Sequence, residues 1–289
     1  MNALLPDKKK HQIADLQIAT VGLFWGASTV VAKHVLSTLP PFAFMSARFW
    51  LAFLVIFILY FPRMRNISRE TISLGITTGL LLFASYALQL VGMLYTSVAN
   101  AAFIAALGVI IIPIIHAVMV KRLPSGPVIT SIILCTIGLA LLTGWQGGFN
   151  LGDFLCLLCA VTFSFYTIVI DRKAGNIESL SLTAVQFATA GICATIAAFF
   201  FETYTASQLI ESWGSILFVG ILCTALVTPL QIIGQKNTTP TRVGVILLLE
   251  PVSATILAFL FLNEFIGIPG FIGSCLILTG ILIAELRRI

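Results

Sequence analysis

Ten stretches of about twenty mainly apolar residues follow one another along the 289-residue chain, parted by short polar joins. A run of that length crosses the ~30 Å hydrocarbon core of a bilayer as an α-helix, whereas a barrel strand needs only about ten residues of alternating polarity. The runs fall at 15–36, 41–61, 71–94, 97–120, 127–145, 151–170, 180–201, 213–235, 243–262 and 267–286. Hydrophobic residues make up 59% of the chain and charged ones 9%, with a mean hydropathy of +1.07, which a water-soluble domain could not keep in solution. The expected fold class is therefore an all-α polytopic membrane protein. Joins this short leave no room for a soluble catalytic domain or a nucleic-acid module, and no GxxxxGK[ST] loop is present to drive transport by nucleotide hydrolysis.

Charge placement orients the helices. The net charge of +5 and pI of about 9.0 come from Lys and Arg in alternate joins: Lys8, Lys9 and Lys10, then Arg63, Arg65 and Arg69, Lys121 and Arg122, Arg172 and Lys173, Lys236 and Arg242, Arg287 and Arg288. The intervening joins hold no Lys or Arg and carry Asp153, Glu202, Glu211 and Glu264. Cytoplasmic joins carry the positive excess, so both termini are expected in the cytoplasm, and the basic balance needs no nucleic-acid partner. The first run is longer than a signal-peptide core and is expected to be retained, in a plasma or bacterial inner membrane. All six cysteines lie inside predicted spans, so no secreted-type disulfide framework is expected, and Cys156 with Cys159 reads as packing rather than a zinc site.

The chain also matches itself. At an offset of 142 residues Thr96 meets Thr238, Leu107 meets Leu249, Pro127 meets Pro269 and Gly138 meets Gly280. A unit of five crossings is odd, so its second copy enters the membrane from the opposite side. Inverted five-helix repeats place a substrate site near the midplane, and exchange of conformation between the halves opens it to either side in turn. The expected organisation is a cytoplasmic tail at 1–14, a first repeat at 15–145 and a second at 151–286.

Particular residues carry a family likeness. Trp25-Gly26, ARF at 47–49, LYTSVANAAF at 94–103, LLLEPV at 247–252, Asn263-Glu264 and IGSCLILTGILIAE at 272–285, in this order and spacing, resemble the drug/metabolite transporter superfamily, EamA type. The resemblance covers essentially the whole chain and implies ten helices in two inverted EamA repeats that move small metabolites, often amino acids out of the cell. The chain departs from the family pattern in its first repeat, with Val109 where a proline is common and Lys121-Arg122 where Gly-Glu is common. Pro113 is the candidate to supply the missing kink.

Polar residues inside spans give the candidate site, because a buried charge or amide must face protein or a wet cavity. Glu250 lies about 12 Å from the inner end of its span, at 1.5 Å per residue, and Pro251 beside it frees a carbonyl and is expected to break the helix. The carboxyl could carry a proton, face a cationic group, or brace the break. Arg48 is about 10 Å deep and could hold a substrate carboxylate or an internal acid. Trp25, Tyr86, Gln89, Asn100, Tyr166, Gln186 and Gln231 complete the candidate substrate-binding set. Lys33 either snorkels to the interface or lines an outer vestibule, His116 reads as packing, and Tyr95 with Trp145 fits the interfacial belt. Gly22/Gly26 and Gly75/Gly79 are GxxxG pairs that let helices approach closely.

The function expected is secondary transport of small amphipathic metabolites by alternating access, most plainly export of amino acids. Uptake of a quaternary amine and nucleotide-sugar exchange stand as alternatives. An ion channel would want rings of like charge or filter loops, and an intramembrane enzyme an acid pair or HExxH, neither of which the chain carries. No cofactor or metal is called for. The expected partners are the substrate and the lipid bilayer, with proton coupling left open, in a monomer or homodimer.

Overall fold

A computed structural model describes residues 7–64, 67–119, 121, 126–144, 148–173, 177–238 and 240–286, and its regular elements are helical throughout. In chain order they are α1 (Asp7–Val35), α2 (Pro41–Met64), α3 (Arg69–Gly92), α4 (Val98–Ala106), α5 (Gly108–Met119), α6 (Gly126–Gly144) and α7 (Leu151–Lys173). They continue as α8 (Ser179–Phe201), α9 (Ala206–Glu211), α10 (Trp213–Leu217), a π-helical stretch (Phe218–Leu226), α11 (Val227–Asn237), α12 (Pro240–Leu247), α13 (Leu249–Leu262) and α14 (Gly267–Leu286). Among the described residues seven segments are long and apolar enough to cross a membrane, and three shorter apolar helices accompany them. Trp145 and the His116 side chain lie outside the described residues.

Polar residues start several of these helices. Ser68 caps α3 through the Thr71 amide, Ser97 caps α4 through the Asn100 amide, and Glu178 caps α8 through the Ser181 amide. Two helices are capped from another part of the chain: Glu202 accepts the Phe42 and Ala43 amides of α2, and Glu264 accepts the Val98 amide of α4. An anion at a helix N-terminus meets both orphan amides and the positive end of the dipole.

The internal match at 142 residues has a structural counterpart. The fourth span breaks at Leu107 and the ninth at Leu248, one residue short of the 142 offset, each with an i to i−3 bond in place of the α pattern, Leu107 N to Ile104 O and Leu248 N to Val245 O. Pro251 explains the second break, since it offers no N–H to the Leu247 carbonyl. The break therefore falls three residues before the proline. In the first repeat the kink does not come from Pro113, through which α5 runs without interruption. It comes at the Leu107–Gly108 join, where Ser164 Oγ stands 2.7 Å from the Ala160 carbonyl and 3.1 Å from the Gly108 carbonyl, its one proton shared between them. Lys121 and Asn263, 142 apart, both stand in the left-handed region at φ 52° and 54°. The backbone keeps the correspondence where the side chains depart from it.

Helix pairing repeats the same relation. α3 packs on α7 as α1 packs on α11, α3 on α8 as α2 on the π stretch, α4 on α7 as α12 on α1, and α5 on α7 as α13 on α1, while α2 with α8 and α6 with α14 lie across the pseudo-axis. In lipid these contacts gain little from hydrophobic exclusion and depend on close packing, which small residues permit. A Cβ on Gly26 would lie 2.7 Å from the Glu250 carbonyl and 2.8 Å from the Ala254 amide, so α1 meets the backbone of α13 at the glutamate itself. Gly138 does the same for α6 against the Gly273 carbonyl of α14, at 2.6 Å. Gly26→Ala is expected to lower the melting temperature of the purified protein by the equivalent of about 1–3 kcal/mol of overpacking. Gly214→Ala, with open space around it, should melt like the parent; equal melting of both variants would contradict the close approach.

Candidate functional site

A cavity of about 610 Å³ lies between the repeats. Its wall takes Trp25, Ser28 and Thr29 from α1, Arg48 from α2, Ser85, Tyr86 and Gln89 from α3, Phe163 and Thr167 from α7, Gln231 from α11 and Glu250 from α13. Six of the nine candidates read from the sequence thus meet at one place: Trp25, Arg48, Tyr86, Gln89, Gln231 and Glu250. The other three stand outside the wall. Asn100 is fully buried and donates to Asp153 Oδ1 at 3.2 Å, Gln186 donates to Thr78 Oγ1 at 2.9 Å between α8 and α3, and Tyr166 stacks under Phe163 with ring centroids 5.3 Å apart.

The two charges of the wall are held differently. Arg48 is 2% exposed, its Nε donating to Thr224 Oγ1 at 2.7 Å and its Nη2 to the Tyr86 hydroxyl at 3.2 Å. Its guanidinium carbon lies 4.4 Å from the centroid of the Tyr86 ring, a cation–π contact strengthened by desolvation. Glu250 is half-buried at the start of α13, and no described residue donates to or pairs with its carboxylate. Arg48 and Glu250 form no ion pair with each other, so each keeps its charge available to a third party. In the same wall Trp25 meets Phe163 edge-on at 5.9 Å, and its buried Nε1 proton has no acceptor among the described residues.

The two mouths of the cavity differ. At the end that carries Arg69, Lys121, Arg172 and Lys173, the basic end, the wall runs out through Asp171, Gln235, Lys236 and Thr238, and both Asp171 and Lys236 are exposed. At the far end the wall stops at Ala32 and Met93, both buried. Beyond them the Lys33 ammonium donates to the carbonyls of Met93 and Thr96, so this lysine bridges α1 to the α3–α4 join and neither snorkels nor lines a vestibule. Asp153 accepts from Thr96 Oγ1 at 2.6 Å, from Asn100 and from the Asn150 amide. Asp153 and Glu264 looked like loop acids in the sequence; they tie α4 to α7 and to α13. By the 142-residue relation the amide at Val98 corresponds to Pro240, which has none, so the bond from Glu264 has no twin at the basic end.

The model of the EamA-like transporter family matches residues 12–144 and again residues 150–286. The chain belongs to this family. It is 31% identical over 282 residues to an uncharacterized transporter of Archaeoglobus fulgidus, covering 96% of this chain and 87% of the relative. It is 22% identical to the uncharacterized transporter YvbV of Bacillus subtilis, over 94% of this chain and 91% of that one. A solved crystal structure at 20% identity superposes with a TM-score of 0.70 over 95% of this chain and 98% of that chain, a likeness of fold alone. This EamA protein is accordingly a multi-pass membrane transporter, and its family and relatives are transporters, not enzymes. Asp153→Asn, which exchanges an all-acceptor carboxylate for an amide among three donors, is expected to cost about 1–3 kcal/mol. An unshifted melting curve in detergent would show that the far end is not held by this residue.

Proposed function

We propose that the protein is a secondary transporter working by alternating access, with ten crossings in two inverted repeats, both termini cytoplasmic, and amino acids or related amphipathic compounds as its exported substrates. The observation that supports this most is the cavity walled by both repeats, in which a guanidinium and a carboxylate stand unpaired beside aromatic rings. A zwitterion with an apolar side group matches that lining: Arg48 faces the carboxylate, Glu250 the amine or a proton, and Trp25, Tyr86 and Phe163 the side group. A volume of about 610 Å³ falls in the range of small-molecule sites, ~300–1,000 Å³. The positive-inside rule puts the basic end in the cytoplasm, so the described conformation is the one that loads substrate for export. Either a monomer or a homodimer fits, since each chain holds a whole cavity.

A second reading, uptake of a quaternary amine, is favoured by one observation, that Trp25, Tyr86 and Phe163 line the same cavity as the Glu250 carboxyl. Nucleotide-sugar exchange is less well served, because among the described residues only Arg48 and Lys236 bring positive charge to the wall. In proteoliposomes Glu250→Gln is expected to flatten the pH dependence of amino-acid flux while leaving the protein folded. An unchanged pH profile would assign Glu250 to bracing the break at Leu248. Saturable betaine uptake in the absence of amino-acid flux would favour the second reading.

A further inference from the structure

The wide π turns of Phe218–Leu226 have a task at Arg48. Elsewhere in the described helices a threonine returns its hydroxyl proton to the carbonyl four residues back, as at Thr29, Thr78, Thr136, Thr167 and Thr255. Thr224 returns it to Val219, five residues back, at 2.7 Å. A hydroxyl has one proton to give. With that proton committed to Val219, Thr224 Oγ1 can only accept, and it accepts Arg48 Nε at 2.7 Å in a site where Thr224 is 1% exposed. In a regular α-helix the same hydroxyl would be drawn to the Gly220 carbonyl instead. Gly220 itself brings the stretch onto α2: a Cβ there would stand 3.3 Å from the Arg48 carbonyl and 2.8 Å from Leu51 Cδ2. One irregular segment therefore fixes both the backbone and the Nε of Arg48.

Tyr86 takes one Nη2 proton and covers a face of the guanidinium. Both Nη1 protons and one of the two on Nη2 are taken by no described residue, and the Nη1–Nη2 edge of the group carries one proton of each nitrogen. That edge is a two-pronged donor matched to the two oxygens of a planar carboxylate. We infer that Thr224, set by the π-helical stretch, is a positioning residue that turns the Nη1–Nη2 edge of Arg48 into the cavity, where it grips the substrate's carboxylate end-on. The inference rests on the proposed reading of the cavity as a site for a carboxylate-bearing metabolite. It fits the general association of π-helical insertions with functional sites.

The test uses the full-length protein in proteoliposomes and, as probe, whichever labelled amino acid the parent accumulates most from a labelled amino-acid hydrolysate. Thr224→Val, which keeps the shape and loses the acceptor, is expected to raise the half-saturation concentration about tenfold, the loss of one hydrogen bond to a charged group, with maximal rate little changed. Thr224→Ser should stay close to the parent. The parent's preference for the free acid over the carboxamide of the same amino acid should shrink in Thr224→Val. Thr224→Ala serves the same purpose where Thr224→Val does not assemble. Half-saturation unchanged in the Thr224 variants but raised in Arg48→Ala would overturn the positioning role and leave the carboxylate site standing. Half-saturation unchanged in Arg48→Ala, or no accumulation by the parent, would overturn the reading of the site itself.

Discussion

A guanidinium held inside a membrane protein without a carboxylate beside it is the constraint around which this molecule is arranged. Leaving such a charge in a low-dielectric interior is costly unless hydrogen-bond acceptors and π faces replace water. Arg48 meets that demand from two helical segments: Thr224 of the π stretch, which Gly220 brings onto α2, and Tyr86 of α3. Glu250, which could have neutralised it, forms no ion pair with it and stands at the break of α13, where Gly26 lets α1 approach its backbone. The separation of the two charges, and with it the polarity of the cavity, follows from backbone geometry set by glycines and a proline.

The two repeats are alike in backbone and unlike at their ends. Breaks at Leu107 and Leu248, and left-handed residues at Lys121 and Asn263, show one fold written twice. The far end is bound by Lys33, Asp153 and Glu264, whereas at the basic end Asp171, and Gln235 and Thr238 in the places of Met93 and Thr96, line an open mouth. Thr238 donates there to Asp15, the counterpart of the bond from Thr96 to Asp153. That bond joins α1 to the α11–α12 join and leaves the mouth open.

Much of this was written plainly in the sequence. Apolar runs of about twenty residues can do little but cross lipid, and a charge inside one must face a cavity or a partner, so Arg48 and Glu250 stood out at once. Amides are harder to read, because a neighbouring helix satisfies them as well as a cavity does. Gln231 reached the wall, while Gln186 went to Thr78 and Asn100 to Asp153. Thr29, Ser85 and Thr167 escaped notice because a hydroxyl that bonds within its own helix leaves no trace in polarity or spacing. The π stretch was illegible for another reason: FVGILCTAL is ordinary helical sequence, and its extra residue per turn is defined by what it packs against.

The central claim is that one cavity between the repeats is open to the basic side and shut at the far side until substrate turns it over. A single cysteine at Ser28, in a cysteine-free background, reports on this directly through labelling with a membrane-impermeant maleimide in oriented vesicles. The account predicts labelling from the cytoplasmic face alone at rest and from the outer face once substrate is being exchanged. Labelling from both faces at rest would mean a continuous pore, and labelling from neither would mean that Ser28 lines no cavity; either result would contradict it.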